Sequence, residues 1–114
     1  MVVRIDPALV DLPPDRRGWS VDGILAYSKI CTHAACAVAM MRYPLHPAHS
    51  AAPALVCPCH YSTFEVGTGG TVIFGPAGRP LPQLPIRIAA DGTLEAAGPL
   101  SGDVGPAWFG VRRA

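Results

Sequence analysis

Apolar residues along this chain come in short runs cut by glycine and proline, and runs of that length predict strands rather than helices. Gly23-Ile24-Leu25-Ala26-Tyr27 reads as one strand and Ala54-Leu55-Val56 as a second. Thr71-Val72-Ile73-Phe74 reads as a third, bracketed by Gly69-Gly70 and Gly75-Pro76. Ile86-Arg87-Ile88 and Thr93-Leu94-Glu95 alternate apolar and polar about Asp91-Gly92, which is a strong hairpin signal. The longest apolar run, Ala34 to Met41, is eight residues. It fits either a short helix or a buried segment, because periodicity does not separate the two at that length. Residues 1–18 form an extended lead-in broken by Pro7, Pro13 and Pro14; residues 44–53 form a loop; Gly105-Pro106-Ala107-Trp108-Phe109 is an irregular, aromatic tail. Trp19, Tyr27 and Phe74 are expected to fill a small core. The fold class that follows is all-β and antiparallel, with two loops held at strand ends.

Composition sharpens this picture. Thirteen prolines and twelve glycines among 114 residues are spread as punctuation, with neither a repeat nor a linker, so residues 1–114 read as a single domain. A chain this short buries only part of its surface, and a cofactor or crosslink is expected to stabilise it. The net charge is +1 and 15% of residues are charged. The pairs Arg16-Arg17 and Arg112-Arg113 read as solvated charges, so no nucleic-acid partner is expected. An apolar run of eight residues falls far short of the about 20 that a membrane span needs. The start, Met1-Val2-Val3-Arg4, lacks the pattern of a secretory signal. The chain reads as a soluble piece whose membrane anchor lies outside it.

The chemistry concentrates in sulfur and imidazole. All four cysteines and two of the four histidines fall in Cys31-Thr32-His33-Ala34-Ala35-Cys36 and Cys57-Pro58-Cys59-His60-Tyr61-Ser62. Two cysteines and two histidines match a Rieske centre, in which the cysteines hold one iron of a 2Fe–2S cluster and the histidines the other. Cys31 and Cys57 would supply the thiolates, and His33 and His60 the imidazoles. The Cys–x–His and Cys–x–x–His spacings let each loop serve both irons. Neutral imidazoles in place of two thiolates lower the cluster's negative charge and raise its potential, to about −150 to +300 mV against about −400 mV for an all-thiolate plant-type cluster.

Tetrahedral zinc is satisfied by the same ligand count. The leftover Cys36 and Cys59, one beside each ligand set, weigh against it. These two are either idle thiols or a disulfide tying the loops together. Ligand formation would bring the loops close, so a bridge is geometrically open to them. It would add about 3 kcal/mol in the chain-entropy account and would imply an oxidising compartment. His46 and His49 read as exposed loop residues rather than metal ligands. Met40 and Met41 read as packing rather than haem ligation. Trp108 and Phe109 suit either packing on the base of the domain or a docking patch.

The motifs CTHAAC and CPCHYS resemble the C-T-H-x-G-C and C-P-C-H-G-S pair of the Rieske subunits of cytochrome bc complexes. The segment from Phe74 to Pro85, FGPAGRPLPQLP, resembles that family's proline loop and the strand after it. The end, Val104-Gly105-Pro106-Ala107-Trp108-Phe109, resembles the tail of actinobacterial members. The resemblance implies a Rieske-type antiparallel β domain with a small rubredoxin-like cluster-binding subdomain, formed by two loops within about residues 29–82, on a base β-sheet. It implies a 2Fe–2S cofactor held by Cys31, His33, Cys57 and His60, with a Cys36–Cys59 disulfide. Ser62 matches the family serine whose hydroxyl donates to a cluster sulfur, stabilising the reduced cluster and raising the potential. Four positions depart from the pattern. Phe64 stands where high-potential members carry a tyrosine that donates to a cysteine sulfur, and phenylalanine has no such donor. Ala34 replaces a shielding leucine. Ala35 and Tyr61 replace glycines, which puts backbone conformations that need glycine in doubt. A potential below that of ubiquinol-oxidising relatives is expected, which suits a lower-potential quinol.

The function implied is electron transfer in a quinol:cytochrome c reductase. An electron would come from a quinol, with its proton passing through a ligand histidine, His60 foremost and His33 beside it, and would leave to a c-type cytochrome. The partners would be a cytochrome b-type membrane subunit, a quinol and that cytochrome, at the outer face of the cell membrane, with no activity expected of this chain alone. The alternatives are the Rieske small subunit of an arsenite oxidase and a zinc-stabilised module without redox chemistry. A ferredoxin-like carrier for a dioxygenase is disfavoured by the extra cysteine pair.

Overall fold

The computed structural model describes residues 1–33, 35–41 and 53–106. The expectations for Ala34, for residues 44–52 with His46 and His49, for the side chains of Met40 and Met41, and for Trp108 and Phe109 lie outside the described residues. Within them are nine strands, every pairing antiparallel, and two short 3-10 segments.

The base is a three-stranded sheet with β2 (Ile24–Tyr27) between β1 (Val2–Arg4) and β7 (Gln83–Leu84). Its central strand is the expected apolar run, and it buries Leu25, Ala26 and Tyr27. The chain reaches β2 through 3-10 segments Pro7–Leu9 and Pro14–Trp19, where proline pre-sets the first turn. Asp6 caps the first by accepting from the Ala8 N–H at 2.9 Å. Arg16 reaches back to the base, donating to the Gly69 carbonyl at 3.3 Å and to Gln83 Oε1 at 3.2 Å. Its guanidinium lies 5.7 Å from the Trp19 ring, and Trp19 packs partly buried on the core.

The second sheet runs β3 (Ala39–Met41), β4 (Ala54–Val56), β5 (Thr63–Glu65), β6 (Thr71–Phe74). β4 is buried throughout, as its unbroken apolar run requires of an inner strand. The 34–41 run is no helix. Only Ala39–Met41 is regular, and it is a strand, because pairing Ala39 with Val56 and Met41 with Ala54 satisfies its backbone on β4. β5 was not foreseen in the sequence. Phe74 does not fill the core: it ends edge strand β6, facing outward, and is 42% exposed.

The hairpin β8 (Ile86–Ile88) and β9 (Leu94–Ala96) forms where expected, one residue later in its second strand. Thr93 stays out of the ladder because its N–H and hydroxyl both donate to Asp91, closing the turn. The core runs from Leu25 and Tyr27 of the base through Val66 and Leu81 to Leu55 and Phe64, and it includes Cys31 and Cys57 themselves. The two thiols are thus core residues.

Candidate metal centre

Two loops with the same local wiring build the site. In the first, the Cys31 N–H donates to the Cys36 carbonyl at 2.8 Å, and the Ala35 N–H returns to the Cys31 carbonyl at 3.2 Å. In the second, the Cys57 N–H donates to the Ser62 carbonyl at 2.9 Å, and the Tyr61 N–H returns to the Cys57 carbonyl at 2.8 Å. Each loop grows from a short antiparallel neck. A bridge between Ile30 and Ala37 closes the first, and the Val56–Thr63 pair of β4 and β5 closes the second. The return bond bends each chain so tightly that the fourth residue after the cysteine takes a left-handed conformation. Ala35 has φ 66° and Tyr61 φ 61°. These are the two positions at which the motifs this chain resembles carry glycine, and here an alanine and a tyrosine hold the left-handed conformation.

The bend aims backbone N–H groups at sulfur. His33 N–H donates to Cys31 Sγ at 3.5 Å, and the N–H groups of Cys59 and His60 donate toward the Cys57 sulfur. Burial pushes the Cys57 thiol up, and contact with the Cys31 thiol adds to this, while those two N–H groups oppose it. A bound cation reverses such a balance, since a coordinating thiol is deprotonated outright.

The four expected ligands meet in two pairs, thiol with thiol and ring with ring. The Cys31 and Cys57 side chains touch one another, and the His33 and His60 rings meet edge to face with centroids 4.9 Å apart. Their exposure is graded. Cys31 and Cys57 are 0% and 1% exposed, His33 is half-buried and His60 is exposed. Cys36 and Cys59 form a disulfide with Cα atoms 6.4 Å apart, joining the two loops. The sulfurs of Cys36, Cys57 and Cys59 lie within 4.8 Å of one another. With two of the three locked in the disulfide, they do not make a trithiolate metal site. The donor set left over, two inner thiols and two outer imidazoles on cradles of N–H groups, fits a 2Fe–2S cluster with mixed ligation.

A third loop, residues 75–80, closes on the other two. Ser62 is fully buried, and its hydroxyl oxygen accepts from the Ala77 N–H at 3.1 Å. The Thr32 hydroxyl donates to the Arg79 carbonyl at 2.8 Å. Thr32, Ala77 and Arg79 were not among the residues singled out from the sequence. The resemblance marked their segment, and the cross-loop bonds that give them importance have no signature along the chain. Phe64 is fully buried in β5 and brings no hydroxyl to the site.

The chain matches the Rieske [2Fe-2S] domain family over residues 15–85. It is 45% identical over 111 residues to the cytochrome bc1 complex Rieske iron-sulfur subunit of Streptomyces lividans, covering 96% of this chain and 59% of that protein. Its identity to the same subunit of Streptomyces coelicolor is also 45% over 111 residues, covering 96% of this chain and 29% of that one. A Haloferax mediterranei protein, whose name assigns it provisionally to a respiratory nitrate reductase as Rieske subunit, is 43% identical over 88 residues, covering 77% of this chain and 36% of its own length. The chain thus spans about three fifths or less of these relatives. The paired loops, the graded donors, the disulfide and the match over both motifs agree: this chain belongs to the Rieske [2Fe-2S] domain family, and its cofactor is a 2Fe–2S cluster.

Proposed function

We propose that Cys31 and Cys57 bind one iron of the cluster and His33 and His60 the other, and that the chain carries electrons from a quinol to a c-type cytochrome as part of a quinol:cytochrome c reductase. The observation that carries this is the gradient of exposure across the four donors. Thiols at the core end put anionic ligands where water is excluded. Imidazoles at the surface put a titratable ring where a partner can reach it. The similarity to cytochrome bc1 subunits favours this over the arsenite oxidase reading.

When bound, the cluster supplies one-electron chemistry. The residues supply the rest. The outward ring nitrogen of exposed His60 accepts a hydrogen bond from a quinol hydroxyl and takes its proton. His33, edge-on at 4.9 Å, holds that ring in place and is the second candidate for the proton. The disulfide and the 75–80 loop keep water from the inner thiols. Residues 1–114 act as one unit with the cluster-binding part at about 29–82. The b-type membrane subunit offers the quinol site, and the setting is the outer face of the membrane, which the disulfide supports. Among the described residues no helix is long and apolar enough to cross a membrane.

Visible and low-temperature EPR spectra of the purified protein, oxidised and reduced, test this. A reduced-state signal with the low average g-value of a mixed Cys/His centre is expected. Its midpoint should fall as pH rises from neutral to alkaline, as transfer of a proton with the electron requires, and with Phe64 offering no hydroxyl it should lie below that of ubiquinol-oxidising relatives. A colourless, EPR-silent protein carrying one zinc would sink the redox reading. A midpoint flat from neutral to alkaline pH would remove proton coupling.

A further inference from the structure

The 75–80 loop is the part of the site with the least secondary structure. It leaves edge strand β6 at Phe74 and rejoins the base where the Leu81 N–H donates to the Gly70 carbonyl at 3.0 Å. Between those points it touches both cysteine loops, through Ala77 N–H to Ser62 on one and the Arg79 carbonyl to Thr32 on the other. Its outer side is held by one side chain. Arg79 Nη1 donates to the Asp103 carbonyl at 2.8 Å, and Nη2 donates to the Gly105 carbonyl. Residues 101–105 are in turn fixed to the base, since Ser101 and Gln83 exchange two hydrogen bonds at 2.8 and 2.9 Å. One planar guanidinium therefore spans from the C-terminal segment to the loop that touches both halves of the site. Its fork suits two adjacent acceptors, which an ammonium does not match.

The Ala77 bond bears on Ser62. A serine hydroxyl has one proton and two lone pairs. With an N–H seated on one lone pair, the proton must point elsewhere. Ser62 is fully buried, so an unpartnered proton there is costly. Cys57 and Ser62 close the same turn, so a cluster held by the Cys57 thiolate would offer that proton a sulfur acceptor nearby.

We propose that Arg79 is a positioning residue for the cluster: by clamping the 75–80 loop to Asp103 and Gly105 it seats the Ala77 N–H on Ser62, and so aims the Ser62 hydroxyl at the cluster and raises its potential. This rests on the cluster assignment above. It predicts that Arg79→Ala lowers the midpoint, by less than Ser62→Ala does, because the hydroxyl is loosened rather than removed. Arg79→Lys lowers it too, since the charge is kept and the fork is lost. In a Ser62→Ala background neither substitution shifts the midpoint further, as a shared pathway requires. Hydrogen exchange of the peptide carrying Ala77, read by mass spectrometry, should be roughly tenfold faster in Arg79→Ala.

Redox titration of the four proteins and the two double variants decides the matter. A Lys variant with the wild-type midpoint would reduce Arg79 to a distant positive charge and overturn the proposal. So would a shift that persists without the Ser62 hydroxyl. If Arg79→Ala retains no cluster, the Lys variant carries both comparisons. The exchange measurement needs no cluster. If the wild-type protein lacks the mixed-ligand EPR signal, the cluster assignment fails separately, and unchanged exchange at Ala77 would overturn the clamp by itself.

Discussion

Ala35 and Tyr61 hold backbone conformations that side chains disfavour, at φ 66° and 61°. Each costs about 1–2 kcal/mol against an ordinary conformation, which glycine would recover at some loss of unfolded-state order. Ala35→Gly is therefore expected to raise stability by about 0.5–1 kcal/mol, read as a higher melting temperature of the disulfide-intact protein. Tyr61→Gly should do the same, and additionally strip the tip beside His60 of an aromatic ring that is 60% exposed. A fall in stability in both would show that the turn does not need the left-handed conformation. Tyr27 makes a different prediction. Its hydroxyl donates to the buried Val66 carbonyl at 2.5 Å, and burial pushes its ionisation well above the usual tyrosine range, with Arg16 opposing. A group whose acid form is favoured on folding loses that advantage once the unfolded chain ionises. Stability should therefore be flat near neutrality and fall as pH rises above about 10. Tyr27→Phe should cost about 1–3 kcal/mol at pH 7, from the orphaned carbonyl, and should flatten that alkaline limb in denaturant titrations. At this scale the sequence pointed to the candidate ligands, because thiols and imidazoles at those spacings admit few chemistries. It said nothing of Arg79 or Thr32, whose importance lies in partners 24 to 47 positions away.

Among the elements, the loop 75–80 depends on a glycine at its first position. A Cβ on Gly75 would meet Ser62 Cα at 2.5 Å and Ser62 N at 2.8 Å, and the residue has φ 91°. Both contacts are backbone, so neither can swing away. Gly75→Ala is expected to cost more than about 2 kcal/mol and to speed cluster loss, followed as bleaching of the visible spectrum under mild denaturant. Wild-type bleaching kinetics would mean that the loop does not shield the site. β4, β6 and the β8–β9 hairpin were readable because their runs are apolar or alternating and end in glycine or proline. β5 was not, because Thr63 and Glu65 carry no strand pattern, and β7 entered only through the resemblance, because Gln83 carries none either. Pairing with β4 decides β5. Gln83 is fully buried in β7 because Arg16 and Ser101 satisfy parts of it there. Such tertiary compensation has no local trace.

For the whole molecule, the Cys36–Cys59 disulfide is the covalent tie between the two site loops, bridging 23 positions of sequence. Replacing both cysteines with serine should cost about 3 kcal/mol in the chain-entropy account, measurable as a lower denaturation midpoint. Equal stability of the double variant and wild type would mean that the core alone holds the loops together. The residues themselves favoured this bridge over idle thiols, the resemblance implied the same pairing, and the loops are joined by it. The overall class, antiparallel strands with two ligand-bearing loops, was readable from rhythm alone. The division into a three-stranded base sheet and a four-stranded site sheet was not, because strands far apart in sequence choose their neighbours by packing.

The gradient from buried Cys31 and Cys57 to exposed His60 has a consequence for timing. The thiols share one core with Leu55, Phe64 and Leu81, so among the described ligand residues the histidines are the ones that bring the site close to solvent. On the proposed reading, donor and acceptor must use the same doorway. Two visitors cannot stand in one doorway together, so delivery and collection have to alternate. The turnover of such a carrier is then governed by how quickly one visitor leaves and the next arrives, as much as by how quickly an electron jumps.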